Sequence, residues 1–474
     1  MSVACKIAND QSLSTRDKLS RVKIYQNGEY TSMGNRTALL FLCVLCAISL
    51  TGCTSTNHKS RSISNNSKQR GLAVSSWPKF GGDLRNSSLC KKSTMKWEIK
   101  WTSPVLGKMD ASPIIGSDGT VYTATLTGDM FSLDGKTGKV KWKSPILDNR
   151  SKSHSFCEDA IWHKQYGRIF YRTNNSASPA LSADGILYIG SRDDYLYALD
   201  SATGNRYWRF RVRRSFEDES MPIISSPTIG ADGTVYFIAE RTCYAVNGRT
   251  GRLKWKYSRC KYSSKSFSSP VVGSDGTVYV ATFLNIYAFN PQSGTVKWQF
   301  ELPCMYNSSD LASGQDDTMY IAPGGERFIA INGKSGKIKW KSTIDILLTP
   351  PYRDTDNVMK SPAIGPDGTV YASTYGGYLY AWNGVTGKRM WKQKCGFRSY
   401  PVVTSDGKVY MNTCSITPEG KTQPMIRVFD GKTGKVLKKF TYDLGKVGIS
   451  SPIAIAEDGT IIVDSSSGRL YAIH

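Results

Sequence analysis

One phrase recurs through most of the chain and narrows what it can fold into. It reads Ser-Pro, a few apolar residues, Asp-Gly-Thr-Val-Tyr, an apolar run, Asp/Asn-x-x-Thr/Ser-Gly and then Trp. The first full copy runs from Ser112-Pro113 through Asp118-Gly119-Thr120-Val121-Tyr122, Asp134 and Thr137-Gly138 to Trp142. Further copies run from Ser178-Pro179 to Trp208, Ser226-Pro227 to Trp255, Ser269-Pro270 to Trp298 and Ser361-Pro362 to Trp391. The fifth in order is degenerate at its start (Ser313-Gly314) but ends on Ser335-Gly336 and Trp340. The seventh, from Tyr400-Pro401 to Thr433-Gly434, has Lys438 at the Trp position, which predicts looser docking there, with Phe440 as the substitute. An eighth begins at Ser451-Pro452 and passes Asp458-Gly459-Thr460 without reaching a Trp strand. A matching strand lies at the other end: Lys96 to Val105, KWEIKWTSPV, resembles Val140 to Pro145.

Four short apolar runs every 40 to 50 residues or so make the period of a propeller blade. Asp-Gly between alternating apolar runs is a strong hairpin signal, because both positions tolerate positive φ. Asx followed by Thr-Gly turns the next hairpin, the Asx oxygen capping amides and Gly taking the left-handed position. Pro opens the innermost strand, which borders the central channel, so its missing N–H costs little. The Trp offers a large apolar face for packing between blades, and seven of the eleven Trp occupy this position, which assigns them to the core. The expected fold is all-β: an eight-bladed β-propeller of four-stranded antiparallel blades over residues 77–474, closed by an N-terminal strand that completes the C-terminal blade. Closure removes the sheet edges that invite aggregation.

Ahead of the repeat, Thr37 to Leu50 is an uncharged apolar run, too short to span a bilayer comfortably. Arg36 precedes it and Leu50-Thr51-Gly52-Cys53 follows, the arrangement of a secretory signal with a small-residue cleavage site. The stretch resembles the lipobox of bacterial lipoproteins, which implies lipid on Cys53. Thr54 is not the Asp that retains such proteins in the inner membrane, so the resemblance favours the outer one where two membranes are present. The expected organisation is an upstream extension at 1–32 from a mis-set start, with Met33 the initiator, then a signal peptide at 33–52. A flexible Ser/Asn/Lys-rich tether follows at 53–76.

The pattern Asp/Asn-x-x-Thr-Gly-x-x-x-Trp resembles the PQQ (pyrroloquinoline quinone)-type propeller repeat with its tryptophan-docking motif. The segment Trp77-Pro78-Lys79-Phe80-Gly81-Gly82-Asp83 resembles that family's entry segment. The family includes quinoprotein dehydrogenases and non-enzymatic outer-membrane assembly lipoproteins of the BamB type. For the dehydrogenases the resemblance would imply a disulfide between adjacent cysteines against the quinone, a Ca²⁺ held by carboxylate and amide oxygens, and an Asp base. No two cysteines here are adjacent, and most acids fall in the repeat's own turns. His154, Cys157 and His163 share one loop, where solvated polarity is the expected role. The expectation is therefore no enzyme, no cofactor, no metal site and no small-molecule substrate. Cys243 with Cys260, or Cys395 with Cys414, would make plausible disulfides in an exported chain.

The formal charge is +24, and removing residues 1–52 takes six Lys/Arg and three Asp/Glu, so +21 remains with the folded part. That suits an anionic partner, while an export signal argues against nucleic acid. The irregular segments leaving each Trp strand lie on one face and are rich in cations: Arg209, Arg211, Arg213, Arg214, Arg259, Lys261, Lys392, Lys394 and Arg398. Variable loops on a rigid scaffold usually carry function, so these residues form the candidate partner-binding face. Phe210, Phe216, Tyr257, Tyr262, Phe267 and Phe397 stand among them, either as anchors or as packing under the loops. The leading reading is a lipid-anchored scaffold binding envelope proteins at the membrane. The alternatives are a PQQ/Ca-dependent dehydrogenase and a surface receptor for an anionic polymer or glycan.

Overall fold

Each copy of the repeat folds hairpin by hairpin as its turn residues require. In the first, Asp118 Oδ1 accepts from the Thr120 amide (3.0 Å), and Asp134 Oδ1 accepts from the amides of Lys136 and Thr137 (3.1 and 2.9 Å). The computed structural model describes residues 71–75, 78–83, 88–90, 96–109, 111–146, 177–191, 193–212, 223, 225–239, 241–258, 268–282, 284–302, 309–323, 327–344, 361–374, 376–396, 400–416, 422–441, 451–465 and 467–474. It also describes strand backbone at 5–6, 23–26, 29–32, 161–163 and 168–170. Residues 1–61 form a separate unit in which Cys5–Lys6, Lys23–Gln26 and Glu29–Ser32 pair antiparallel.

The remainder is an eight-bladed β-propeller. Blade 1 is Ile114–Ile115, Val121–Ala124, Asp129–Leu133 and Val140–Pro145, and each later blade repeats that order from inner to outer strand. Outer strands of blades 2 to 7 are Arg206–Arg211, Leu253–Tyr257, Val296–Glu301, Ile338–Thr343, Arg389–Lys394 and Val436–Thr441. Blade 8 joins Ala454–Ile455, Ile461–Asp464 and Leu470–Ile473 to Ile99–Thr102, pairing Ala472 with Trp101. The ring is thus closed by the N-terminal strand, as expected. Blade 7 has a fifth strand, Leu89–Cys90, parallel to Pro401–Thr404.

Adjacent blades are fastened by the repeat tryptophans. Trp101, Trp142, Trp208, Trp255, Trp298, Trp340 and Trp391 each donate Nε1–H to a turn carbonyl of the following blade, at 2.7–3.0 Å. Each ring also lies flat on the Gly of that blade's Thr/Ser-Gly turn. A Cβ on Gly251 would stand 2.7 Å from Trp208 and one on Gly294 2.5 Å from Trp255, so these glycines (φ +67 and +71) serve close approach as well as the turn. Across each blade the Trp faces a small residue, Ser132, Ala198, Ala245, Ala288, Ala330, Ala381 or Ala472, and a β-bulge follows at once. In blade 7, Val428 faces Lys438. That gap is filled by Trp97, stacked on Tyr410 (6.4 Å, 16°) and packed on Phe440 (5.6 Å). Phe440 shares the role expected of it, and Trp97 joins it there at a positive φ of 67°.

The notable details lie where blades end and begin. Outer strands continue past the Trp to Pro145, Arg211, Tyr257, Thr343 and Lys394, and in four of them Lys143, Arg209 and Arg211, Tyr257 or Lys392 lies against an aromatic ring. The long segment after blade 1 contains a hairpin, Ile161–His163 with Arg168–Phe170. In blade 5 the inner strand is Ala312–Ser313, which puts Asp310, not Ser313, at the position of the repeat serine. Cys395 and Cys414 are buried and not joined to each other. The Cys395 thiol donates instead to Gly396 O. Cys260 lies outside the described residues.

Candidate functional site

The sequence-derived cations divide between described and undescribed positions. Arg213, Arg214, Arg259, Lys261 and Arg398 lie outside the described residues, as do Cys53, His154, Cys157, Phe216, Tyr262, Phe267 and Phe397. His163 is described only by its strand backbone. Arg209, Arg211, Lys392 and Lys394 are strand residues, not loop residues. They run along the outer edges of blades 2 and 6, which are diametrically opposed in a ring of eight, so the structure does not gather the four into one patch.

Each of these edges is built on tyrosine. The Arg209 guanidinium stands 4.5 Å and that of Arg211 5.8 Å from the Tyr195 ring, while Arg206 lies 5.9 Å from Tyr197. Tyr197 donates its hydroxyl to Asp193 in a short hydrogen bond. On blade 6, Lys392 lies 4.3 Å over Tyr378 and 5.4 Å over Tyr380. A cation over an aromatic face is held by the ring quadrupole while its outward N–H groups stay available. Two suggested anchors are core residues instead. Phe210 packs edge-on against Phe237 and Tyr244 of blade 3, and Tyr257 against Tyr287 and Phe289 of blade 4.

On the opposing turns several aspartates are paired with strand lysines. The first turn Asp, followed by Gly except at Asp316-Asp317, pairs with the Lys preceding Trp: Lys100–Asp458 (3.1 Å), Lys254–Asp232 (2.9 Å), Lys297–Asp275 (3.2 Å) and Lys339–Asp316 (3.0 Å). Burial nudges these carboxyls upward, but Thr hydroxyl, backbone and lysine contacts outweigh it and hold them below the usual range.

The central channel carries a second polar system that the sequence reading did not foresee. Serines before the repeat prolines link blade to blade, each Oγ accepting from the preceding blade's amide. Ser112 N–H donates to Ser178 Oγ (2.9 Å), Ser178 to Ser226 (3.0 Å) and Ser226 to Ser269 (3.2 Å). Asp310 continues the belt, accepting from the Ser269 amide (2.8 Å) and the Ser361 hydroxyl (2.7 Å). The described parts of the segment from Gly71 touch the inner strands of blades 1, 2 and 7. Ala73 and Leu181 are bonded at 2.9 Å, Leu181 N–H donates to Pro78 O, Ser75 Oγ donates to Ile115 O, and the segment ends as the strand beside Val403. It inserts Lys79, whose side chain is wholly buried and donates to Phe80 O (2.9 Å). Burial pushes the Lys79 ammonium down to about 8, against the opposing pull of Asp83 and Asp310. Residues 71–75, tether-like in composition, therefore belong to the docked segment. The recurrence of Ser before Pro was the signal available for the belt; no periodicity marks Lys79.

Comparison with known proteins follows the fold. A family model described as outer membrane protein assembly factor BamB matches residues 158–310, 285–359 and 354–474, more than half of the chain. A model of the glucose/ethanol/alcohol dehydrogenase β-propeller domain matches residues 4–224. The quinohemoprotein alcohol dehydrogenase ADH-IIG of Pseudomonas putida is 25% identical over 154 residues, covering 31% of this chain and 19% of that protein. Thus the chain spans about a fifth of that relative's length. Among solved structures, BamB from Moraxella catarrhalis matches at a TM-score of 0.57 and 14% identity, over 80% of this chain and 99% of that one. The quinohemoprotein alcohol dehydrogenase from Comamonas testosteroni matches at 0.62 and 15%, over 84% and 80%. At such identities the structural likeness establishes the fold alone.

A quinone with Ca²⁺ is the group that the dehydrogenase likeness implies, and the described channel residues do not fit it. Asp310 is held by two serines and faces Lys79. Asp464, also buried, accepts from Ser451 Oγ (2.8 Å). Among the described residues no cluster of three His, Cys, Asp or Glu could hold a metal ion.

Proposed function

This chain belongs to the PQQ-type repeat β-propellers, and on that footing we propose that it is a non-enzymatic scaffold that binds envelope proteins beside the outer membrane, held there by lipid on Cys53. One observation carries the reading against the enzymatic alternative. The described parts of the segment before the first blade, 71–75, 78–83 and 88–90, lie against the inner-strand ends of blades 1, 2 and 7, and Lys79 is wholly buried within electrostatic reach of Asp83 and Asp310. A lysine of the protein's own chain buried at the inner strands favours a rigid platform over a cofactor cavity. The family model over residues 158–474 points the same way. Partner contacts then fall to the long segments between blades, with Arg211 ending the outer strand of blade 2 and Arg213 and Arg214 next in sequence.

The test is crosslinking in intact cells followed by affinity purification from solubilised membranes. Recovery of outer-membrane barrel-assembly components, reduced by charge reversal at Arg211, Arg213 and Arg214, is the expected result. A tight, stoichiometric complex with pyrroloquinoline quinone and Ca²⁺, seen by absorbance and calorimetry, would overturn the reading in favour of a dehydrogenase. Retention of the protein in the membrane fraction after Cys53→Ser would remove the lipid anchor from it.

A further inference from the structure

The eight outermost strands contain sixteen Lys or Arg and a single acid, Glu301. Charge on an exposed edge strand is expected, because it discourages pairing with another chain's edge. Either sign would serve that purpose, so protection of edges does not account for a ratio of sixteen to one. Five of these lysines are offset locally: Lys100, Lys254, Lys297 and Lys339 by turn aspartates, and Lys143 by Asp129 (3.1 Å). Of the other eleven, Arg209, Arg389 and Lys392 are engaged and Lys141 donates to the Thr120 hydroxyl (2.7 Å) beside Asp118, while Arg206 and Arg211 on blade 2, Lys256 on blade 3, Lys341 on blade 5, Lys394 on blade 6, and Lys438 and Lys439 on blade 7 spread positive charge around the ring with no ion pair to another described residue. Where tyrosines lie beneath, as under Arg209 and Lys392, the cations are laid against the blade and pre-placed.

We propose that this outer rim is a track for an extended, flexible polyanion whose repeating oxyanions are met by successive blades. The shape of the charge selects the occupant. A flat membrane touches a closed ring along one short arc, and a folded protein covers one arc. Only a chain that bends around the circumference meets cations on blades as far apart as 2 and 6. Attraction of this kind is additive, weakly specific and steeply dependent on salt, because each contact releases a condensed counterion.

The experiment uses the whole chain with two soluble probes, long-chain polyphosphate and alginate, which separate phosphate from carboxylate as the oxyanion, and with vesicles of anionic phospholipid. Affinity is measured across a salt series for the parent protein and for Lys256→Gln, Lys341→Gln and Lys439→Gln, exposed positions on blades 3, 5 and 7. Thermal midpoints verify that each variant is folded. The expected result is binding of at least one soluble polymer. Each substitution lowers affinity several-fold and reduces the log–log salt slope by about 0.7, whichever blade carries it. Binding insensitive to salt, binding abolished by one substitution and untouched by the other two, or binding to vesicles without either polymer would each overturn the proposal.

Discussion

Gly251→Ala tests the claim that the turn glycines exist to receive tryptophan as much as to make the turn. Gly251 has φ +67, where an alanine is less favourable by about 1–2 kcal/mol. Restriction of the unfolded chain returns about 0.4–1 kcal/mol of that, leaving about 1. The added Cβ would stand 2.7 Å from Cδ2 and Cε3 of Trp208, so the ring must withdraw. Withdrawal weakens the 2.8 Å bond from Trp208 Nε1 to Gly248 O, about 1 kcal/mol, and strains the packing by about 1 more. The total is about 3 kcal/mol. Gly119 is the internal control: φ is +79, but nothing lies within 4 Å of its would-be Cβ, so Gly119→Ala should cost only the backbone share of about 1 kcal/mol. The difference, about 2 kcal/mol, should be read as a lower denaturation midpoint for Gly251→Ala in guanidinium. In a Trp208→Ala background the gap should vanish. Equal midpoints for the two glycine variants, or an undiminished gap without Trp208, would refute the docking argument.

Trp97→Ala should destabilise by about 2 kcal/mol and raise hydrogen exchange in strands Lys408–Ile416 and Val436–Thr441, since Tyr410 and Phe440 lose their cover; protection unchanged there would contradict the assigned role. Lys79 gives a pH signature. Between about 8 and its ordinary 10.5, the unfolded chain keeps a proton that the folded chain has lost, so stability rises with pH across that window, by at most about 3 kcal/mol, and is flat below it. Denaturation midpoints of the parent relative to Lys79→Met should show that rise between pH 7.5 and 10; a constant difference would mean that the lysine is solvated. Asp232, Asp275, Asp316 and Asp458 have folded values below their unfolded ones, so their contribution is present above about pH 4 and lost as pH falls further; midpoints should be level from pH 5 to 7 and drop only in stronger acid.

The architecture was legible because it rests on local rules repeated eight times. Asp-Gly and Thr-Gly turns announce hairpins, and the stranded KWEIKW motif at one end matches the strand absent at the other. What could not be read are features made by residues distant in sequence. Trp97 fills the Lys438 gap across more than three hundred positions, and nothing in its neighbourhood distinguishes it from an ordinary aromatic. Lys79 reads as a surface lysine until the segment is laid against the inner strands. The cations were correctly seen as numerous but were assigned to loops, because Arg209 and Lys392 follow a tryptophan that looks like a strand's end. The tyrosines that extend those strands, Tyr195 and Tyr378, sit one strand back and meet the cations only through antiparallel register.

Ring closure between Ile99–Thr102 and Leu470–Ile473 has a consequence for how the molecule comes into being. Strand Ile99–Thr102 has no partner until nearly four hundred further residues have emerged, so blade 8 is assembled last, by the contact with the longest loop to close. Until then the chain carries two raw sheet edges, at Leu470–Ile473 and at Ile99–Thr102, each complementary to the other and to the same element of any neighbouring unfinished copy. Dimers exchanging this strand are therefore the natural by-product of crowded synthesis, and dilution or a chaperone that shields the early strand favours the monomeric ring.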